Sequence, residues 1–241
     1  MQQVVVFKDL GHMPYQAAWD YQEELLKDNT DIKYQARREG SGQDPQNLPT
    51  QHHLLFVEHP PVFTLGKNGQ ESHIIWDESA RRKKGIEYFH INRGGDITFH
   101  GPEQLVGYPI LDLEKFKPDL GWYLRSLEEV IIAVMAEYGL KGQRSQGETG
   151  VWLDPDLKGR ERKICAMGIK CSRWITMHGF AFNVNTDLDY FSGIVPCGIE
   201  NKQVTSLQKE LSRKVPMEEV KSLVQKHFES VFGCRLIMQA G

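Results

Sequence analysis

The chain has 241 residues, of which 40% are hydrophobic, and its formal net charge at pH 7 is −3. This length suits one large domain or two small ones, and the apolar content suffices for a sizeable core. The nearly balanced charge gives no electrostatic reason to expect nucleic acid or an anionic membrane as the main partner. We predict one globular domain over residues 1–241.

The first third of the chain predicts a strand, a helix and two further strands. Residues 4–7 form an apolar run typical of a strand, and a helix begins near Pro14, because proline suits a first helical turn. The polar stretch 35–51, which contains Gly and Pro, predicts a mobile surface loop. Residues 54–57 and Val62–Leu65 then predict short strands.

Residues 93–110, RGGDITFHGPEQLVGYPI, mix a Gly-Gly turn with polar side chains in a strand pattern. The two glycines allow a ligand to approach the backbone closely. Thr98, His100 and Gln104 place hydrogen-bonding groups among apolar neighbours, which favours a binding wall. An ordinary hairpin with one solvated face is the alternative. Residues 88–91, 97–100 and 105–110 predict neighbouring strands of an antiparallel or mixed sheet, because their connections are short.

The second half of the chain predicts two helices and three strands. Apolar residues recur at helical spacing over 119–138, and Gly139 suits the end of that helix. Residues 151–153, 163–169 and 174–184 predict strands, and 217–232 predicts a last helix. This order favours an α+β fold with a mixed or antiparallel sheet flanked by helices. The basic run 81–84 can attract an acidic partner, although a solvated surface is the favoured interpretation.

Four cysteines without CxxC spacing, Cys165, Cys171, Cys197 and Cys234, predict neither a disulfide framework nor a zinc site. The apolar run at 4–7 is too short for a signal peptide, and no segment approaches membrane-spanning length. We therefore expect a cytoplasmic protein with free thiols.

Cys197 lies between Pro196 and Gly198, in a turn that can present a thiol. A cysteine attacks as its thiolate, so it needs a nearby cation or base. The candidates are Lys163, His100 and His178. Lys163 enters the apolar strand KICAMGIK, where burial would make the amine a base. The alternative is a lysine at a strand end that reaches for water.

Several separated segments together resemble the octanoyltransferases of lipoate biosynthesis, the lipoyl(octanoyl) transferase family. They are VEHPPVFTLG, RGGDITFHGPEQLVGYPILDL, KICAMGIK, HGFAFNVNTDL and PCGI, in this order. The resemblance implies the α+β fold shared with biotin and lipoate protein ligases. It also implies a transferase that moves an octanoyl group from octanoyl acyl carrier protein to a lysine of a lipoyl domain, with Cys197 as the acyl-accepting residue and Lys163 as the residue that lowers its pKa.

The resemblance further assigns three segments to acyl binding. They comprise Arg93, Gly94, Gly95, Asp96, Ile97, Thr98, Phe99 and His100, then Ala166, Met167 and Gly168, then Gly179, Phe180 and Ala181. The family's usual HGPGQ pattern reads HGPEQ here, so Glu103 stands where a glycine is usual. Glutamate is less free than glycine at positive φ, which makes the conformation of this turn an open question.

The implied acceptors are the lipoyl domains of 2-oxoacid dehydrogenase complexes and the H protein of glycine cleavage. Neither a metal nor an organic cofactor is expected, and a monomer is the default. Two alternatives remain open: an ATP-dependent lipoate or biotin ligase of the same fold, and a non-catalytic module that binds acyl groups or lipoyl domains.

Overall fold

The computed structural model describes residues 2–40, 42, 44–195 and 203–239. The strands are β1 Gln3–His12, β2 His52–Glu58, β3 Val62–Leu65, β4 Glu87–His90, β5 Ile97–His100, β6 Gln104–Ile110, β7 Val151–Leu153, β8 Arg162–Ser172, β9 Ile175–Asn183, β10 Gln203–Val204 and β11 Cys234–Met238. The α-helices are α1 Tyr15–Arg38, α2 Glu78–Lys83, α3 Leu120–Glu137, α4 Leu207–Leu211 and α5 Met217–Phe232. None of the helices in these described parts is long and apolar enough to span a membrane.

Most strands form one large mixed sheet, in the order β10-β8-β9-β6-β2-β1-β11, with β7 paired to β8. Its centre, from β8 through β9 and β6 to β2, is antiparallel. Strand β1 runs parallel to both β2 and β11. The predicted mixed sheet is therefore confirmed.

A second sheet of three strands has the order β4-β3-β5. The prediction that residues 88–91, 97–100 and 105–110 form neighbouring strands is therefore wrong. The first two of these segments both pair with β3, and β6 lies in the large sheet between β2 and β9. All seven residues of β6 are buried, which suits a central strand covered on both faces.

The helices cover both faces of the large sheet. Helices α3 and α5 contribute to the main hydrophobic core on one face, and α1 packs on the other. The predicted helices over 119–138 and 217–232 are confirmed. Asp119 caps the first by accepting a hydrogen bond from the Trp122 N–H at 2.9 Å, and Gly233 ends the second at φ +61°.

The predicted loop over 35–51 begins too early, because α1 continues to Arg38. A buried lysine near the end of this helix explains the extension. The Lys33 ammonium contacts Asp112 at 2.5 Å and Glu114 at 2.7 Å, and it donates to the carbonyl of Arg173 at 3.0 Å. These contacts anchor the last turns of α1 to the body of the domain, and sequence periodicity does not reveal them.

Candidate functional site

A cavity lies between the two sheets, and the three predicted acyl-binding segments meet in it. Of the residues predicted from the sequence, those that line it are Arg93, Gly95, Asp96, Ile97, Thr98, His100, Lys163, Ala166, Met167, Gly168, Gly179, Phe180 and Ala181. The lining also includes Gln104, which the polar pattern of residues 93–110 had indicated, His178, which was a candidate base, and Val106. Residues more than 80 positions apart in the chain thus share one cavity.

Two predicted binding residues, Gly94 and Phe99, do not line the cavity. The Phe99 side chain packs in the core of the small sheet, stacked on Tyr190 with 4.8 Å between ring centroids. Gly94 joins the sheets through its backbone, because its N–H donates to the carbonyl of Ile169 at 2.8 Å. Both residues support the wall from outside.

A β-bulge directs Lys163 into the cavity. Val151 pairs with Cys165 and Trp152 pairs with Lys163, so one step along β7 matches two steps along β8 and Ile164 is the extra residue. Ile164 and Cys165 both point into the main core as a result. Bulges often occur next to active sites, where they change the direction of a side chain.

The Lys163 side chain is largely buried, with 13% of it exposed. Its Nζ lies 3.9 Å from Glu148 Oε2 and 4.5 Å from the centre of the Trp152 ring. On the other side of β8, Lys163 pairs with Val204, which also lines the cavity. The Lys163 amine therefore lies at one end of the cavity, close to where the chain returns in β10.

Arg93 ties the wall of the cavity to the small sheet. Its Nη2 donates to the carbonyl of Thr64 at 2.7 Å and to the Thr64 hydroxyl at 2.9 Å, and its Nη1 donates to the Gly94 carbonyl at 3.0 Å. The side chain packs directly over Gly168, where a Cβ would lie 3.0 Å from Arg93 Cδ and 2.8 Å from the Gly94 carbonyl oxygen. Glycine is thus required at 168 for close packing.

A buried group of neutral rings lies at the opposite end from Lys163. Tyr15 and Tyr108 line the cavity there and are 1% and 3% exposed. The Tyr108 hydroxyl lies 2.7 Å from His59 Nε2, whose Nδ1 lies 2.8 Å from the Met13 carbonyl. Because a carbonyl only accepts, His59 Nδ1 carries the proton and Tyr108 donates to Nε2. Burial lowers the pKa of His59 to about 4, so this ring is neutral near pH 7.

His178 has an unusual backbone for a residue inside a strand, with φ +61°. Its N–H donates to the side chain of the buried Gln22 at 3.0 Å. Its Nε2 lies 3.2 Å from Asn92 Oδ1, and Asn92 Nδ2 donates to Glu23 at 3.2 Å, so the imidazole donates from Nε2. Burial, with Arg93 nearby, lowers the pKa of His178 to about 3.

The described cysteines are unsuited to nucleophilic attack. Burial raises the pKa of the thiols of Cys165, Cys171 and Cys234, and to about 12 in Cys234. The predicted nucleophile Cys197, with Pro196 and Gly198, lies outside the described residues. No cluster of three or more His, Cys, Asp or Glu side chains that could hold a metal ion occurs in the described parts of the chain.

Some lining residues were not found by sequence reasoning. Tyr15, Thr149, Asn183, Phe191 and Val204 come from separate elements, and no local pattern connects them.

The structure settles the conformation of the turn in the HGPEQ motif, because Glu103 adopts φ +58° in spite of its side chain. Its N–H donates to Glu58 at 2.8 Å and its carboxylate contacts Lys214 at 2.6 Å, which hold the turn in place.

The family profile described as the lipoyl protein ligase A/B catalytic domain matches residues 14–229. The chain belongs to this family. A relative named "Octanoyltransferase" from Flavobacterium psychrophilum is 54% identical over 98% of this chain and 100% of its own length. Another protein with that name, from Christiangramia forsetii, is 51% identical over 99% of this chain and 100% of its own length. The resemblance to the octanoyltransferases and the assignment as an acyltransferase are thus confirmed.

Solved structures of lipoate protein ligases share the fold. A lipoate-protein ligase A bound with ATP superposes with a TM-score of 0.68 at 15% identity, covering 99% of this chain and 89% of its own. A bipartite lipoate protein ligase from Thermoplasma acidophilum gives a TM-score of 0.68 at 17% identity, with 99% and 88% coverage. The predicted α+β fold of the lipoate protein ligases is therefore confirmed.

Proposed function

We propose that the protein transfers an octanoyl group from octanoyl acyl carrier protein to a lysine of a lipoyl domain, through a thioester on Cys197. The observation that supports this is the cavity, in which the predicted acyl-binding segments surround a space with Lys163 at one end. The acceptors are the lipoyl domains of 2-oxoacid dehydrogenase complexes and the glycine cleavage H protein.

The described residues on either side of the segment that carries Cys197 support this proposal. Val195 donates its N–H to the His73 carbonyl at 2.8 Å, and His73 contacts Asp96 in the cavity lining. After residue 202, the chain continues into Val204, which pairs with Lys163. The segment that carries Cys197 is thus bounded on both sides by residues next to the cavity.

The first half-reaction needs a thiolate, and an adjacent ammonium stabilises one. With Lys163 as the ammonium, the Cys197 thiolate attacks the carbonyl carbon of the donor thioester, and a new C–S bond forms as the donor C–S bond breaks. The departing phosphopantetheine thiolate takes a proton from Lys163. Backbone N–H groups near Cys197 and Gly198, or near Gly168, stabilise the oxyanion of the tetrahedral intermediate.

The second half-reaction uses the neutral amine that the first leaves at Lys163. The acceptor lysine attacks the octanoyl thioester and forms the amide bond as the C–S bond to Cys197 breaks. The proton lost by the acceptor amine goes to Lys163, which restores the ammonium beside the Cys197 thiolate. The energy of the donor thioester drives amide formation, so this route consumes no ATP. We place this reaction in the cytoplasm and expect a monomer.

Intact-mass measurement after incubation with octanoyl acyl carrier protein tests the proposal. The wild-type protein should gain one octanoyl group without ATP, and a lipoyl domain added afterwards should remove it. The Cys197→Ala variant should gain none, and Cys165→Ala serves as the matched control that keeps the adduct. An adduct on Cys197→Ala would exclude the cysteine, and octanoylation that needs free octanoate and ATP would favour a ligase.

A further inference from the structure

We propose that Glu148 is a positioning residue for the Lys163 amine, and that the buried Glu128 keeps it in place by clamping both ends of the loop 144–150. This inference rests on the proposed octanoyl transfer, because it names the residues that hold the lysine of that reaction. The Glu148 carboxylate lies 3.9 Å from Lys163 Nζ, and the two side chains are largely buried, with 17% and 13% of their surfaces exposed.

The Lys163 amine has partners on two sides. Its Nζ lies over the Trp152 ring, 4.5 Å from the ring centre, and the Glu148 carboxylate is the second contact. A lysine carries its amine on a flexible stem of four carbons, so the amine keeps one direction only where contacts select it. An aromatic face and a carboxylate both attract the ammonium form of a lysine, and burial strengthens the attraction. Glu148 therefore helps to fix the direction in which the amine points.

The carboxylate of Glu128 joins the two ends of the loop that carries Glu148. Glu128 lies on α3 and is completely buried. One of its oxygens accepts a hydrogen bond from Arg144 Nε at 3.0 Å, and the other accepts from the Gly150 N–H at 3.1 Å. Burying a carboxylate is unfavourable unless such bonds compensate it. Because Arg144 and Gly150 bound the loop, a single buried side chain closes it.

The same clamp holds the loop against β8, beside the bulge. Gly150 has φ +102°, and a Cβ there would lie 2.4 Å from the Cys165 carbonyl oxygen, so this close approach requires glycine. The Thr149 hydroxyl donates to the Met167 carbonyl at 3.3 Å, and Thr149 also lines the cavity. Glu148 directly precedes these two anchored residues. Its carboxylate is thereby held next to the strand that carries the lysine.

The contact bears on both halves of the proposed transfer. In the first half Lys163 gives a proton to the departing thiolate, and in the second it takes one from the acceptor amine. Each step requires the amine to lie within hydrogen-bond reach of the atom that it serves, and a displacement of ~1 Å can lower a rate about 100-fold. Glu148 neither gives nor takes a proton in these steps. It keeps the Lys163 amine directed into the cavity.

Chemical labelling of lysines tests the contact without relying on catalysis. Brief treatment with limiting acetic anhydride, followed by peptide mass spectrometry, gives the acetylation of Lys163 relative to Lys170, which lies on the same strand and pairs with Glu23. We expect Glu148→Gln to raise this ratio roughly three- to tenfold, because an amine released from a carboxylate is a more available nucleophile. Glu148 lies in a loop, so this variant should fold.

A second variant tests the clamp. Glu128→Gln keeps an oxygen for the Gly150 N–H but removes the charge that holds Arg144, so it should raise the labelling ratio in the same direction. If Glu128 acts through Glu148, the double variant should match Glu148→Gln, because coupled residues do not have additive effects. Glu129→Gln is the matched control and should leave the ratio unchanged, since the half-exposed Glu129 contacts Arg144 at 2.6 Å whereas Gly150 donates to Glu128.

Single-turnover octanoyl transfer in the same variants tests the role in the reaction. We expect Glu148→Gln to lower the rate roughly ten- to hundredfold, while octanoate affinity measured by calorimetry is unchanged. An unchanged labelling ratio or transfer rate in Glu148→Gln would overturn the role of Glu148. Multiplying effects in the double variant, or an equal rise in Glu129→Gln, would remove Glu128. Wild-type protein without transfer would refute the proposed function, and the labelling ratios would still decide whether the contact exists.

Discussion

The two ends of the cavity are built differently. At one end, a bulge in β8 brings the Lys163 amine near Glu148 and Trp152. At the other end, neutral histidines and tyrosines are buried, and His178 is held at positive φ. Each end depends on one departure from regular strand geometry. On the proposed function, the chemistry belongs to the end with Lys163, and the neutral end contacts only the acyl group.

The largest expected effect comes from removing the amine. Lys163→Ala should lower the rate of octanoyl transfer by roughly 10²- to 10⁴-fold, the usual contribution of a general acid–base, while octanoate affinity changes little. Single-turnover kinetics and calorimetry measure the two quantities. Lys170→Ala is the control, because Lys170 lies on the same strand but pairs with Glu23, and its rate of octanoyl transfer should fall only a few-fold. A Lys163→Ala rate within tenfold of wild type would remove the lysine from the mechanism.

The neutral end should make stability depend on pH. The pKa of His59 is lowered to about 4 and that of His178 to about 3, both below the ordinary value of 6.5. The unfolded chain therefore binds more protons, so stability is lost as pH falls below 6.5. At pH 5.5, each of these two histidines should lower the free energy of unfolding by about 1.4 kcal/mol relative to neutral pH.

Urea denaturation at pH 7.5 and pH 5.5 measures this loss. His178→Asn removes one titrating group, so its loss between the two pH values should be about 1.4 kcal/mol smaller than in the wild type. Equal losses in the two proteins would show that His178 is not held neutral by the fold.

The close contact between Gly168 and the turn at Arg93–Gly94 should tolerate little added volume. Gly168→Ala places a Cβ 2.8 Å from the Gly94 carbonyl oxygen, so we expect a loss of about 1–3 kcal/mol in stability and weaker octanoate binding. Gly94→Ala is the matched control, because its Cβ would meet only the Ile169 carbonyl oxygen at 3.5 Å. Denaturation and calorimetry should separate the two variants, and equal behaviour would argue against a close contact at Gly168.

The smallest effect is expected at Glu103, away from both ends. Glu103→Gly removes the strain of a positive φ, which stabilises the folded protein by about 1 kcal/mol. The same change removes the ion pair with Lys214 and raises the conformational entropy of the unfolded chain, and both effects destabilise the protein. Because these contributions oppose one another, stability should change by less than about 1 kcal/mol. A larger loss would mean that the carboxylate has a further role.

Local patterns in the sequence were sufficient for parts of the fold. Helices α3 and α5 carry apolar periodicity with Asp119 and Gly233 at their boundaries, so they were predicted correctly. The predicted neighbourhood of the strands at 88–91, 97–100 and 105–110 was wrong, because strand pairing depends on contacts between distant residues. Strand β11 was not predicted, since only its pairing with β1 identifies its five residues as a strand.

The candidate site was likewise predicted only in part. The motifs brought Arg93–His100 and the small residues of β8 and β9 to attention, but not the directions of their side chains. Strand alternation from a sequence assumes regular geometry, and the bulge at Ile164 and the backbone of His178 both violate it. Phe99 was assigned to the cavity wall because the resemblance covers the whole segment Arg93–His100, whereas its side chain packs behind the wall.

A crystal structure with an octanoyl group trapped on Cys197 would test the separation of the two ends most directly. The account predicts a thioester carbonyl carbon within ~4 Å of Lys163 Nζ and an alkyl chain that runs from there inside the cavity, beside the Ala166–Ala181 pair. An alkyl chain that leaves the cavity, or a thioester remote from Lys163, would contradict it.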